Sequence, residues 1–335
     1  MLISNKFLRS VFILRYRDLD PSIRSECVQA IGRWLKEFPA HYLDGNYMRY
    51  IGWVLSDSNT HVRLDAVKAL VPLYEMDDYI VSLQSFTDRF KGRLVEMATN
   101  DTELSIRVTV IQVLSSIERH GLLEDDQRST LCLLTFDAEV KVRRAVSTFV
   151  NGVWEEATNQ RLVAKRKADD TEKSWAGLKA LAQLLVEWGR ILDKKVMENA
   201  DDNADGDSSS QGDSSSALHK DISMVLSSQQ KSRISLAVEA LWDEIPVIGE
   251  WEVMLDLLHL DHSASDDLDN DGSPVSAARR KKSKKSSDAL VDEAWRLEEV
   301  EETVLLEVLV ASLKKTEVDA ASDAKRVSPP FFLTA

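Results

Sequence analysis

Glycine and proline are scarce in this chain, 12 and 7 among its 335 residues. With so few turn formers, and little alternation of apolar with polar residues, a fold of many short strands is excluded and an all-α one is predicted. Cysteine is scarcer still. Cys27 and Cys132 lie in separate apolar helical patterns, too few for a disulfide framework or a zinc ligand set, and read as small buried hydrophobes of a reducing compartment. No apolar run is long enough to cross a bilayer, and Met1 is not followed by a secretory signal pattern, so no membrane association is expected. The chain also lacks a Gly-rich phosphate loop, an H-E-x-x-H pair, a C-x-x-C pair and a serine elbow. No enzyme, cofactor or small-molecule substrate is therefore expected. His259 and His262, near Asp256 and Asp261, come nearest to a metal site. At the end of a helix running into a polar stretch, solvated histidines are the plainer reading.

What the chain does contain is a repeat. The segment Asp57 to Leu70, DSNTHVRLDAVKAL, has three near-copies, aligned on Ile23-Arg24, Val62-Arg63, Ile106-Arg107 and Val142-Arg143. Asp18, Asp57, Asp101 and Asp137 stand at one fixed offset before these pairs, and Cys27, Ala66, Val110 and Val146 at one fixed offset after them. The arginines recur after 39, 44 and 36 residues. That period with helical patterning predicts a HEAT or armadillo type solenoid, an α-α superhelix whose helix pairs bury their apolar stripes by stacking. Each Asp lies just ahead of the second helix of its pair, where its oxygens can accept free backbone N–H groups. Each Arg can reach the Asp of a neighbouring repeat, giving a ladder along the stack.

Charge divides the chain unevenly. The formal net charge is -14, but residues 1–150 hold 19 basic and 20 acidic side chains, so nearly all the excess lies beyond them. Helices are predicted at about 5–17, 21–38, 46–55, 59–75, 78–98, 103–119, 124–135 and 138–166, then along a long amphipathic stretch to about 199. Asp20-Pro21 is a cap followed by proline at the first helical position. The acidic, serine-rich 200–216 stretch and the acidic-then-basic 262–288 stretch are expected to be disordered, with helices at about 219–243, 249–260 and 289–315 around them. Neither end has the polar outer face of a capping repeat, so the chain reads as a piece of a longer solenoid.

Several motifs fall in one order and spacing from Val11 to about Met97. They are RYRD (Arg15 to Asp18), I-R-x-x-C (Ile23 to Cys27), I-G-x-W (Ile31 to Trp34), Y-x-x-Y-x-G-W (Tyr47 to Trp53), D-x-x-x-x-V-R-L (Asp57 to Leu64) and F-T-x-R-F-K-x-R (Phe86 to Arg93). This set resembles the stromalin (SA/STAG) family of cohesin subunits, in its conservative domain. The resemblance implies a nuclear, chromosome-associated, non-enzymatic scaffold that binds the kleisin subunit of cohesin, contacts DNA, and serves sister chromatid cohesion and chromosome segregation. It also implies a surface for regulators bearing short Phe/Tyr-x-Phe motifs, formed here by Tyr16, Arg49, Trp53 and Arg89. Where the family often carries an acid, this chain has Gly45, with Asp44 beside it. The expected division is a stromalin conservative domain over 1–97, further repeats over 98–166, a helical extension over 167–199, disorder over 200–217, helices over 218–261, disorder over 262–288, a helix over 289–316, and a disordered tail over 317–335.

Helical geometry bears on these residues separately. A core stripe of Tyr47, Ile51, Val54 and Leu55 leaves Trp53 off it, on a face shared with Arg49. The alternative is that Trp53 packs under a neighbouring repeat. Leu83, Phe86, Phe90, Leu94 and Met97 form another stripe, beside which Arg89 is either a binding residue or a solvated or internally paired one. Tyr16 follows Phe12 at i+4 and equally suits the core. Arg9, Arg15, Arg33 and Lys36 are candidate DNA contacts. Arg279, Arg280, Lys281, Lys282, Lys284 and Lys285 form a candidate nuclear import signal, or else balance the acids before them. A generic HEAT adaptor or nuclear transport scaffold is the competing reading; the RYRD to RFK-x-R set argues against it.

Overall fold

The computed structural model describes residues 12–43, 45–163, 169–201, 232–260, 262 and 295–327. Arg9, the import-signal cluster at 279–285, Asp44 and most of both acidic stretches lie outside the described residues. The described residues are helical with no strand. The main helices are α1 Pro21–Glu37, α2 Gly45–Val54, α3 Thr60–Tyr74, α4 Ile80–Asn100, α5 Leu104–Glu118, α6 Asp125–Cys132, α7 Val140–Val163, α8 Asp170–Asp201, α9 Arg233–Leu241, α10 Trp251–Leu258 and α11 Glu299–Val327. No helix among the described residues is long and apolar enough to cross a membrane.

Local sequence fixes the helix ends. Asp20 caps α1 by accepting the Ser22 N–H at 2.8 Å, with Pro21 in the first turn. Asn59 caps α3 in the same way, and Glu124 with Gln127 forms a capping box on α6. Gly121 turns the chain between α5 and α6 at φ +63°, a conformation that costs a residue with a Cβ but not glycine. The stretch predicted as one helix over 124–135 instead tightens after Cys132 into a 3-10 turn, Leu133–Phe136.

The described residues divide into two compact units. The first runs to Val153 and adds Ile191–Ile245. It is the repeat stack: α1, α3 and α5, the second helices of successive pairs, pack in series, while α2 and α4 pack on one another in a second layer. Its core is a continuous apolar stripe, including Val28, Ile31 and Leu35, then Val62, Ala66 and Leu70, then Ile106, Val110 and Leu114, then Val142, Val146 and Val150. Cys132 is buried, but Cys27 is only half-buried and so departs from the expected core position. The second unit comprises Trp154–Arg190 and the residues from Pro246 onward. Here Trp154 Nε1 donates to the Gly177 carbonyl at 2.8 Å and Ser312 Oγ donates to the Ile248 carbonyl at 2.6 Å. His262 is neither solvated nor part of a helix face with His259. Its Nδ1 accepts the Leu297 N–H at 3.2 Å and its Nε2 contacts the Leu257 carbonyl at 2.8 Å, so both nitrogens are engaged by backbone.

An ion-pair ladder runs along the repeat stack. Arg24 holds both Asp57 oxygens, at 2.7 and 2.8 Å. Arg63 holds both Asp101 oxygens at 2.9 Å, and Arg107 pairs with Asp137. The arginines also tie down the loops that precede their own helices: Arg63 donates to the Asp57 and Ser58 carbonyls, and Arg143 to those of Asp137 and Ala138. Each Asp in turn accepts a backbone N–H two residues on, from Asn59, Glu103 and Glu139 respectively. The last rung has a partner from far along the chain: Arg143 pairs at 3.1 Å with Glu239 on α9, which packs on the Leu133–Phe136 turn.

Burial pushes the Asp57 and Asp101 carboxyls up, but the arginine hydrogen bonds, the backbone N–H bonds and the arginine charge outweigh it and hold both below the usual range. Two outcomes are expected. Arg63→Ala leaves Asp101, 3% exposed, without its partner and costs about 3 kcal/mol in urea unfolding, whereas Arg15→Ala, which breaks an exposed pair, leaves the midpoint nearly unchanged. Because the folded carboxyl titrates below the unfolded one, its contribution is complete above about pH 5 and is lost as pH falls through the folded value. The stability gap between the wild type and Asp101→Asn should therefore be constant from about pH 5 to 7 and narrow below about pH 4.

Candidate functional site

The N-terminal turn, α1 and α2 bring a set of aromatic rings together. Phe12 and Tyr16, four residues apart on one turn, stack with centroids 6.0 Å apart. Tyr50 of α2 meets both edge-on, at 5.4 and 5.0 Å, and Trp34 of α1 tilts against Phe12 at 5.8 Å. Trp53 closes the group, stacked on Tyr16 at 6.3 Å and edge-on to Tyr50 at 5.7 Å. Tyr16 is buried, and Trp53 is 40% exposed. Trp53 therefore does not pack under a neighbouring repeat; it is the open end of a group in which Phe12, Tyr16 and Tyr50 are buried and Trp34 is half-buried.

The buried stripe of α2 is Met48, Ile51 and Leu55, with Tyr50 and Val54 beside it. The sequence reading began this stripe at Tyr47. Tyr47 is instead half-buried against His41 and Tyr42, because the short helix Pro39–Tyr42 folds back over it. The shift leaves Trp53 and Arg49 on the outer side.

Two guanidinium groups lie over the exposed indole. Arg49 is 5.6 Å from the Trp53 ring centroid and 5.2 Å from that of Tyr50. Arg17 is 5.7 Å from Trp53 and 5.3 Å from Tyr16, and its Nε donates to the Tyr16 hydroxyl at 2.7 Å. Among the described residues neither makes an ion pair, in contrast with the ladder arginines. The sequence reading passed over Arg17; the signal was its place inside RYRD, next to Tyr16.

Arg89 joins this group less directly. It is exposed and lies 5.5 Å over Phe90 on α4. Phe90 in turn fills the space where a side chain would stand at Gly52: a Cβ there would come within 2.2 Å of the ring. Glycine at 52 thus lets α4 close on α2 beside Trp53. The structure brings Tyr16, Arg49 and Trp53 into one contact set and links Arg89 to it through Phe90. Of the basic candidates, Arg15 is ion-paired with Asp18 at 2.8 Å, while Arg33 and Lys36 are exposed on α1.

Comparison with known proteins bears on this same region. The sequence profile of the stromalin conservative domain matches residues 17–91. That span holds Arg17, Arg49, Trp53 and Arg89, with Tyr16 one residue outside it. The chain is 37% identical over 158 residues to cohesin subunit psc3 of Schizosaccharomyces pombe, 47% of this chain and 16% of that protein. It is 39% identical over 145 residues to sister-chromatid cohesion protein 3 of Arabidopsis thaliana, 43% of this chain and 13% of that protein. It is 41% identical over 123 residues to human cohesin subunit SA-3, 36% of this chain and 10% of that protein. The chain thus spans about a sixth or less of these relatives. In fold it is similar to cohesin subunit Scc3 from Z. rouxii, with a TM-score of 0.62 over 98% of this chain and 32% of that one at 20% identity. The matched residues are thus set in an α-helical repeat fold.

The α2–α4 approach yields a direct test. Gly52→Leu must displace the Phe90 ring and should lower the urea-unfolding free energy by about 2 kcal/mol, within the range for overpacking a filled site.

Proposed function

We propose that this chain is a non-enzymatic, cohesin-type scaffold acting in sister chromatid cohesion and chromosome segregation on nuclear chromosomes, and that the stromalin domain binds short peptides bearing two aromatics. The relatives named above are cohesin subunits and a sister-chromatid cohesion protein, which supports the first part. One observation carries the second. Trp53 is an exposed indole with two cations over it, Arg17 and Arg49, and neither cation has a carboxylate partner among the described residues. An aromatic side chain of a peptide gains area and a favourable ring contact on such an indole. A neighbouring carboxylate or backbone carbonyl supplies what the guanidiniums lack. Arg89 extends the same surface toward α4.

A kleisin segment is the larger partner in this reading, and the repeat stack holds the peptide face rigid for it. DNA contact by Arg15, Arg33 and Lys36 is the weaker part, because Arg15 is already paired with Asp18. A generic HEAT adaptor has no need of the Tyr16–Trp53–Arg49 arrangement.

The test titrates the whole chain with a labelled Phe-x-Phe peptide. Trp53→Ala and Arg49→Ala, with unchanged circular dichroism, should each weaken binding at least about tenfold, or ~1.4 kcal/mol. Binding anchored by aromatics should depend only weakly on salt, whereas DNA binding through basic residues should fall steeply with it. A folded chain that does not bind the peptide, or that binds it as well without Trp53, would overturn the reading.

A further inference from the structure

Helix α11 carries two apolar faces, and the fold uses one of them. On the packed side Leu305, Val308 and Leu309 are buried, and Ser312 donates to the Ile248 carbonyl. On the outer side Leu306, Val310 and Leu313, spaced i, i+4 and i+7, are 51%, 49% and 44% exposed. Val300 and Val318 flank this stripe and are exposed as well. Single exposed leucines and valines are ordinary on a protein surface, but a row of them along one side of one helix is not.

Two charges border the stripe. Glu307 and Lys314 lie on the same edge of it, are exposed, and make no ion pair among the described residues. Seven residues apart, they stand about 10 Å from each other along the helix and cannot pair within it. The adjacent Lys315, by contrast, is paired with Asp319 at 2.8 Å.

We propose that the outer face of α11 binds a second copy of itself, as an antiparallel helix pair with its twofold axis near Val310. The order of the residues chooses this occupant. About such an axis, residues equally far before and after Val310 face one another, and each edge of the stripe meets the same edge of its copy. Leu306 then lies toward the partner's Leu313, and Val300 toward the partner's Val318. Glu307 lies toward the partner's Lys314, and Lys314 toward the partner's Glu307. The pair that α11 cannot make within itself thus forms twice between copies. A parallel pair would instead bring Glu302 against the partner's Glu307, like charge on like. A membrane surface or a nucleic acid is a poor occupant, because Glu299, Glu302 and Glu307 make the first half of this face acidic.

One helix face per copy lies below the roughly 1,200–2,000 Å² of a stable complex, so the dimer is weak and is sought at about 10 to 200 µM. Sedimentation of the full chain over that range should show reversible dimers. Glu307→Lys and Lys314→Glu, each with unchanged circular dichroism, turn two attractions into two repulsions and should each weaken association about tenfold or more. An equal mixture of the two variants should associate nearly as the wild type does, because each supplies the charge the other lacks. The double variant Glu307→Lys/Lys314→Glu should do so alone. Val310→Cys should form a disulfide joining position 310 of the two copies under mild oxidation, identified by mass spectrometry. A chain that stays monomeric at the highest concentration overturns the proposal, as does a dimer that both single variants leave unchanged. Single variants that weaken association without rescue in the mixture overturn it too.

Discussion

The repeat stack depends on a pairing rule: each ladder arginine meets a carboxylate from beyond its own repeat, Asp57, Asp101 and Asp137 of the next repeat and, for Arg143, Glu239 of α9. Arg63 and Arg143 are buried cations, 8% and 2% exposed. Taking such a group out of water costs several kcal/mol, so its carboxylate partner and its loop carbonyls offset a cost more than they add stability. The net favourable term comes from the apolar stripe. The ladder instead penalises error: a stack slipped by one repeat, or by one turn, strands a guanidinium in the interior. Apolar stripes made mostly of Val, Ile and Leu would tolerate such slips; the arginines do not.

The same side chain does a second job where no acid meets it. Arg24, Arg63, Arg107 and Arg143 end on carboxylates between repeats, whereas Arg17, Arg49 and Arg89 end on aromatic rings. A guanidinium on a ring keeps its edge N–H groups open to solvent while its face is covered. Two such groups over one indole repel each other modestly in water, and an anion brought between them relieves that repulsion. The charge that builds the scaffold is thus neutralised internally, while Arg17, Arg49 and Arg89 keep theirs on the first pairs of the stack.

Much of this was legible in the sequence, for a physical reason. The ladder is encoded locally: Asp and Arg keep a fixed offset within each repeat, and stacking identical units turns that offset into a contact between units. Helical spacing placed Trp53 off the stripe of its own helix, but spacing alone left open its burial under a neighbouring repeat, which the 40% exposure of the folded side chain decides. The rest needed three dimensions. Glu239 lies 96 residues from Arg143, and no offset rule reaches it. Tyr47 was misassigned to the core because the fold-back of Pro39–Tyr42 is a tertiary event that α2's own pattern cannot announce. Cys27 matched Ala66, Val110 and Val146 in the alignment, yet its repeat is the one whose stripe stays half-open.

That last departure follows from place in the stack. The repeat of Cys27 is the first one described and is stacked on one side only, whereas Ala66, Val110 and Val146 lie in repeats that follow it. Phe12, Tyr16 and Tyr50 are already buried, so the ring surface open beside them is that of Trp53, with Arg17 and Arg49 over it. One exposed indole under two guanidiniums that lack a carboxylate offers apolar area and positive charge at the same point, and the buried rings behind it hold that point in place.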